Sequence, residues 1–310
     1  MRAAERLPSQ FGSGPSPAIW LQATRPKTLA AGAVPVVIGT GLAFGQGLGR
    51  WLPAAAALVG ALFIQIGTNL ANDYYDFRRG ADTSERLGPV RVTQSGLIAP
   101  ATVLTAALLC FGVALTVGLY LVLVGGWPIA LLGTLSLLCG FLYTGGPAPL
   151  AYLGLGDLFV LAFFGFGAVA GTYFVQAGSL TPAAAWASIP AGALATAILA
   201  VNNLRDESTD AKAGKRTLVV RWGASAGKIE YCLMIAAAFA APLGMWVSGI
   251  TGPWPLLSWL CAPLALAPLR RVLTQSRGAL NPALGATARV ELVFGILFAI
   301  GLSLSRGSGR

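Results

Sequence analysis

Long apolar runs govern what this chain of 310 residues can fold into. A helix that crosses a bilayer needs about 20 predominantly apolar residues in a row. Nine stretches meet or approach that length: 28–46, 52–72, 100–123, 127–144, 156–176, 181–202, 229–249, 254–269 and 288–305. Only Val124-Gly125-Gly126 separates the third from the fourth, which predicts a hairpin. The sixth is Ala-rich, and the eighth is short and interrupted by Pro. The runs do not alternate, so they do not describe a transmembrane β-barrel. Charged residues make up 10% of the chain, against about 25% in a soluble domain. The mean hydropathy is +0.72. The 40 Gly and 19 Pro suit helices packed closely through small residues in lipid. The expected fold class is an all-α integral membrane protein with nine transmembrane helices.

Nine spans put the termini on opposite sides, and Lys and Arg decide which side is which. With the N-terminus cytoplasmic, all of the 21 Lys and Arg except Arg50, Arg306 and Arg310 fall in the N-terminal tail or in loops on the cytoplasmic face. Trp20, Trp51, Trp127 and Trp254 lie near span ends, as an interfacial belt requires. Residues 1–20 are rich in Ser, Pro and Gly, with no apolar core and cleavage site directly after them. They read as a loose cytoplasmic tail rather than a cleaved signal, and residues 21–306 as a single transmembrane domain. The expected location is the cell membrane. The net charge of +10 is spread as topology and an anionic substrate require, and does not call for nucleic acid. Cys110, Cys139, Cys232 and Cys261 all sit in apolar runs without C-x-x-C spacing, which makes them packing residues. The chain has no His, which removes imidazole as base or ligand.

The acids are concentrated further still. Asp73, Asp76, Asp82 and Glu85 follow the second run, and Asp206, Glu207 and Asp210 follow the sixth. Residues three and four apart share a helix face. Asn69 and Asp73, Asn72 and Asp76, Asn202 and Asp206, and Asp206 and Asp210 are each four apart, and Asn203 stands beside Asn202. Each cluster thus projects a ladder of oxygens from the cytoplasmic end of its helix. A single Asp at a span end is most simply a solvated cap. Two matched Asn/Asp clusters on one membrane face point to function, because ionisable groups at membrane depth are costly. A divalent cation shared with a polyanion is the economical account, since Mg²⁺ typically takes one or two carboxylates plus substrate phosphates. Asp73, Asp76, Asp206 and Asp210 are the candidate metal-holding and catalytic residues. Arg78, Lys212, Lys215 and Arg216 would neutralise the remaining oxygens of a diphosphate.

Weaker signals surround the clusters. Arg91 and Gln94 occur in the loop beside the first one, where they suit a phosphate or an aromatic acid. Tyr143 and Tyr152 offer aromatic faces for a carbocation, although interfacial anchoring is the plainer role for either. Asp157 opens the fifth span and needs a partner that the sequence does not name.

The two clusters resemble the Asp-rich motifs of the UbiA superfamily of intramembrane prenyltransferases. Asn72, Asp73 and Asp76 match its N-D-x-x-D motif, with Asp82 as a later acid, and Asp206 and Asp210 match its D-x-x-x-D motif. Arg25-Pro26-Lys27-Thr28-Leu29, Asn72-Asp73-Tyr74-Tyr75-Asp76, Tyr143-Thr144-Gly145-Gly146-Pro147, Asn202-Asn203-Leu204-Arg205-Asp206 and Gly214-Lys215-Arg216-Thr217-Leu218 are similar to the branch that prenylates 1,4-dihydroxy-2-naphthoate in menaquinone biosynthesis. The likeness runs from about residue 20 to 305. It implies nine helices around a central cavity that is open to the lipid bilayer and capped by two cytoplasmic motif loops. It also implies a Mg²⁺-dependent reaction. Polyprenyl diphosphate loses its diphosphate, the allylic cation rests among apolar and aromatic walls, and the naphthoate ring attacks it and sheds its carboxylate as carbon dioxide. Lys27 or Arg25 is the candidate for holding that carboxylate.

Two other readings fit parts of the sequence. Another acceptor within the superfamily, such as 4-hydroxybenzoate or homogentisate, changes only the ring. A secondary transporter of an anionic solute would place its polar groups at the bilayer midplane, whereas these clusters sit at one face.

Overall fold

The computed structural model of the chain describes residues 15–81 and 87–305, and every regular element in them is helical. Helix α1 (Pro17–Thr24) turns through Arg25, whose φ of 55° is left-handed, into α2 (Pro26–Gly45). So helix begins inside the stretch expected to be a loose tail; residues 1–14 of that stretch lie outside the described residues. Then come α3 (Trp51–Arg78), α4 (Pro100–Gly125), α5 (Trp127–Leu142) and the single turn α6 (Leu150–Leu153). A continuous helix follows, made of α7 (Gly156–Val160), a wider π-helical stretch (Leu161–Ala170) and α8 (Gly171–Ala177). The chain continues through α9 (Pro182–Lys212) and α10 (Leu218–Val247). A 3₁₀ segment (Trp254–Cys261) leads into α11 (Ala262–Thr274), and a shorter one (Arg277–Leu280) into α12 (Asn281–Leu304). Among the described residues, eight helices are long and apolar enough to cross a membrane. The fourth expected span, α5, is apolar but has 16 residues.

The charged segments gather at one end of the bundle. There Arg25 Nη2 donates to the Asn69 carbonyl at 3.2 Å, Arg205 Nη1 to Asn281 Oδ1 at 3.2 Å, and Asn281 Nδ2 to the Leu87 carbonyl at 2.7 Å. The starts of α2 and α12 and the ends of α3 and α9 therefore meet. At the opposite end the Tyr173 hydroxyl donates to Gln46 Oε1, and the Arg50 backbone N–H to Gln176 Oε1 at 3.1 Å.

Helix α9 is the central post. Thr181 caps its start, accepting from the Ala184 N–H, and Pro182 occupies its first turn. Its alanines are buried on several faces, among them Ala187, Ala191, Ala197 and Ala200. Small side chains let α2, the π-helical stretch, α10 and α12 all pack against one helix. By contrast, α4 buries only Val103, Ala107 and Ala114. The outer surface is studded with exposed Leu, such as Leu109, Leu119 and Leu123, and with exposed Trp51, Trp127 and Trp254 near helix starts. A surface of that kind belongs in hydrocarbon, and the protein is a multi-pass membrane protein.

Both motif helices run further than the apolar runs suggest. The first cluster lies on about the last three turns of α3, and the second on those of α9. Each ends on a left-handed glycine four residues after its last acid: Gly80 with φ +68° and Gly214 with φ +76°. The Gly80 N–H reaches the Phe77 carbonyl at 3.0 Å and the Ala81 N–H the Asp76 carbonyl at 2.9 Å. In the second helix, the Gly214 N–H reaches Ala211 at 3.1 Å and the Lys215 N–H reaches Asp210 at 2.9 Å. These are two copies of one C-terminal cap.

Helices α2 and α12 approach through glycine. A Cβ added at Gly41 would stand 2.5 Å from the Ala299 carbonyl oxygen, and one at Gly45 would stand 2.1 Å from that of Leu302. Gly45→Leu is expected to lower the thermal midpoint in detergent by several degrees, the effect of about 1–3 kcal/mol of overpacking. Gly112→Ala, where a Cβ meets open space on α4, should leave the midpoint unchanged in the same thermal melt.

Candidate functional site

Asp76 and Asp210 close their respective helices and face the same cation. Lys215 Nζ lies 3.8 Å from Asp76 Oδ2 and 3.2 Å from Asp210 Oδ1. Its position follows from the cap, since Lys215 is the residue whose backbone N–H returns to Asp210. Arg91 Nη2 stands 3.6 Å from the same Asp76 oxygen, and the Tyr152 hydroxyl donates to Asp76 Oδ1 at 3.3 Å. Burial, and then the Asp76 carboxylate, push the Tyr152 phenol above its ordinary range, so it stays a donor. Arg79 and Lys215 lie 5.0 and 5.4 Å from the centre of the Tyr152 ring. The C-terminal end of a helix is its negative end. Two acids on two such ends therefore gather cations and donors around them.

Asp76, Arg91, Asp210 and Lys215 belong to the polar wall of a cavity of about 320 Å³. Asn69, Asn72, Arg91, Tyr143, Asn202, Asn203 and Lys215, all expected from the sequence, line it with Asp76 and Asp210. Asn72 Oδ1 accepts from the Thr144 hydroxyl at 2.6 Å. Asn69 Nδ2 donates to the Thr24 carbonyl at 3.0 Å and to Thr28 Oγ1 at 3.1 Å, which ties α3 to the start of α2. Arg25, Thr28, Gln65 and Asp157 join the wall as well. Asp157 now has a partner: Asn203 Nδ2 donates to its Oδ1 at 3.2 Å. Away from the mouth the lining is apolar, with Phe159, Val160, Phe163 and Phe164 on one side and Ile198 and Leu199 on another.

Two expected acids do not reach this wall. Asp73 is buried and accepts from the backbone N–H groups of Val92 and Thr93, both at 3.2 Å, so it holds the 91–96 turn against α3. Asp206 is taken by its neighbour Arg205, whose Nε and Nη2 reach it at 2.8 and 2.5 Å. Arg205 Nη2 also donates to Asn202 Oδ1 at 2.6 Å. Sequence reading counts Arg205 among solvated loop cations, yet it is 2% exposed. A cation directly beside two motif residues was the one signal of that role. Lys27, Arg78, Lys212 and Arg216 are exposed and off the cavity wall. The left-handed turn at Arg25 puts Arg25 on the wall and leaves Lys27 off it. Gln94 is off the wall too. Asp82 lies outside the described residues.

The donor set fits a hard divalent cation. Asp76, Asp210, Asn72 and Asn202 present only oxygen as ligand atoms, which suits Mg²⁺ rather than a metal that prefers sulfur or imidazole. No group of three or more His, Cys, Asp and Glu forms a closed cage among the described residues. An open set of one or two carboxylates is the kind that Mg²⁺ completes with phosphate oxygens.

The chain is similar to known proteins along most of its length. The model of the UbiA prenyltransferase family matches residues 33–301. The 1,4-dihydroxy-2-naphthoate octaprenyltransferase of Escherichia coli (strain K12) is 38% identical over 93% of this chain and 96% of its own. The protein of the same name from Mycobacterium tuberculosis is also 38% identical, over 93% and 97%. Among solved structures, the apo UbiA homolog from Aeropyrum pernix K1 superposes with a TM-score of 0.66 at 14% identity, covering 86% of this chain and 95% of that one. The Archaeoglobus fulgidus homolog bound to DMAPP and Mg2+ gives 0.59 at 14% identity, covering 91% and 99%. With its family model matched along most of its length, and with relatives this similar from end to end, the chain belongs to the UbiA prenyltransferase family.

Proposed function

We propose that this protein transfers a polyprenyl group from polyprenyl diphosphate to 1,4-dihydroxy-2-naphthoate, releasing diphosphate and carbon dioxide and giving demethylmenaquinol, a step of menaquinone biosynthesis. The observation that carries this reading is the meeting of Asp76 and Asp210, from two distant motifs, around Lys215 at the polar mouth of an otherwise apolar cavity. The names of the relatives support the acceptor. All nine apolar helices, α5 included, cross the membrane, and the charged end faces the cytoplasm, as the Lys and Arg distribution supports.

In this reading Lys215 and Arg91 bind the diphosphate through charge-assisted hydrogen bonds. Arg78, Lys212 and Arg216 at the exposed rim raise the local concentration of the anionic donor. Asp76 and Asp210, with the amide oxygens of Asn72 and Asn202, would hold Mg²⁺, which when bound would supply neutralisation of the charge that develops on the departing diphosphate. Tyr152 and Thr144 fix Asp76 and Asn72 in place. The prenyl tail lies along Phe159, Phe163 and Phe164 and reaches the bilayer. Closing the apolar wall around C1 excludes water, which would otherwise capture the allylic cation. Arg25, already fixed on Asn69, pairs with the naphthoate carboxylate and turns the ring towards C1.

Product formation by the purified protein in lipid, with a polyprenyl diphosphate, Mg²⁺ and the naphthoate, tests the reading. A prenylated, decarboxylated naphthol is expected, lost with EDTA. No diphosphate release with any aromatic acid overturns it. Asp76→Asn and Asp210→Asn should each cut kcat by about 100-fold or more, the scale for removing a group aimed at transition-state charge. Asp73→Asn is expected to act differently: activity falls together with faster amide exchange at Val92 and Thr93, read by exchange mass spectrometry. Arg25→Gln should raise KM for the naphthoate about tenfold and leave KM for the diphosphate unchanged, a loss of about 1.4 kcal/mol.

A further inference from the structure

The geometry points to Asp157 as the group that accepts the hydroxyl proton of the aromatic acceptor during transfer, a role that rests on the reaction proposed above. Three observations carry it. First, Asp157 lines the cavity from the start of α7, yet among the described residues it has no ion-pair partner, whereas Asp76 and Asp210 are paired with Lys215. A carboxylate already committed to a cation is a poor proton acceptor. One without a cation beside it, held by the Asn203 amide and a backbone N–H, keeps lone pairs that can take a proton. Second, its orientation is fixed: Asn203 Nδ2 donates to Oδ1 at 3.2 Å. That bond divides the paired amides of the second motif, since Asn202 Oδ1 serves Arg205 instead.

Third, Asp157 stands where the chemistry must happen. Its Asn203 bond joins it to the second motif, with Asn202, Asp210 and Lys215 in the same lining, and Phe159, Val160 and Phe163 of that lining follow it on its own helix. The bond that breaks joins an anionic head to a hydrocarbon tail, so it lies at the border between these two surfaces. Tyr143 after α5 and Glu230 on α10 are the ionisable groups that feel the Asp157 charge, and Asp210 and Lys215 line the same cavity.

The step balances without a co-reactant. The ring carbon that bears the carboxylate forms its bond to C1 as the neighbouring hydroxyl gives its proton to Asp157. The C1–O bond breaks and its electron pair leaves on the diphosphate. The carboxylate then departs as carbon dioxide, and its C–C electron pair restores the aromatic ring as a naphtholate. Asp157 returns the proton to that oxygen. No net proton is consumed, and nothing is oxidised or reduced.

Asp157→Asn keeps the shape and can still accept from Asn203. The test measures kcat and both KM values for wild type and variant from pH 6 to pH 10, with 1,4-dihydroxy-2-naphthoate and with ring-halogenated analogues whose hydroxyl is more acidic. The expected result is a loss of about 100-fold in kcat at neutral pH, the scale of general-base catalysis, with KM for the prenyl diphosphate and the thermal midpoint unchanged. The loss should shrink at high pH and with the more acidic acceptors, because those rings ionise without help. Asp157→Glu should recover part of the rate, and it carries the test if the Asn variant melts early. A variant within about threefold of wild type, or a loss equal at every pH and for every acceptor, overturns the proposal. Wild-type turnover separates the two readings. Prenylation of a different hydroxyarene discards the naphthoate, while the variant-to-wild-type ratio on that ring still decides for or against Asp157. A wild type that prenylates no hydroxyarene overturns both.

Discussion

The ammonium of Lys215 between Asp76 and Asp210 is the contact on which the rest of the site depends. Both carboxylates are buried at the negative ends of helices, and a buried charge without a partner is far more costly than a solvated one. A pair of opposite charges about 4 Å apart is worth about 4 kcal/mol at an effective dielectric of 20. One cation placed between two acids therefore offsets the repulsion between them and much of the desolvation of each. It also leaves the site poised for exchange. An incoming diphosphate can take the lysine, and an incoming cation can take the acids, with little change in the number of charges that are paired.

The bundle around that contact is built to hold one end polar and the other walls dry. Polar side chains in lipid must find partners within the protein. Many do so here in two networks, one at the charged end and one at the far end around Gln46, Tyr173 and Gln176. Between the networks, α9 offers alanine and α2 offers glycine, so these helices approach their neighbours closely. Bulk fills the core through Tyr231, Phe294 and Phe298, covers the outer surface as Leu, and lines the cavity as the Phe residues of the continuous helix from Gly156 to Ala177. The π-helical turns fall in that wall segment, and such local widening is common at functional sites.

Much of this is legible in the sequence. Apolar runs mark the helices because bilayer thickness fixes their length. The two acid clusters announce a shared site because unpaired acids at membrane depth are costly. What sequence cannot rank is the acids within each cluster. Asp73 and Asp76 differ by three positions on one helix, and the choice between them is made by a turn further on, where the Val92 and Thr93 N–H groups, 19 and 20 residues after Asp73, claim it. Arg205 claims Asp206 because its guanidinium is buried with Asn202 and Asn281, a neighbour 76 positions away. Arg25 and Lys27 are both basic, and only the left-handed turn at Arg25 separates their surroundings. In each case the deciding contact is tertiary, and helical spacing carries no trace of it.

The duplicated cap explains why the two halves of the site are alike in placement and unlike in chemistry. In both motif helices the last acid is followed four residues later by a left-handed glycine, and the next residue's N–H returns to the acid's own carbonyl. That bond fixes where the acid sits relative to the residue after the glycine. In the first helix this residue is Ala81, and in the second it is Lys215. The same backbone geometry thus places a methyl group beside one acid and an ammonium beside the other. Asp210 carries its own counter-ion, and Asp76 must borrow Lys215 from the other helix and Arg91 from the neighbouring loop. The borrowing ties the two helix ends together. A second lysine at position 81 would serve Asp76 locally and make that tie redundant.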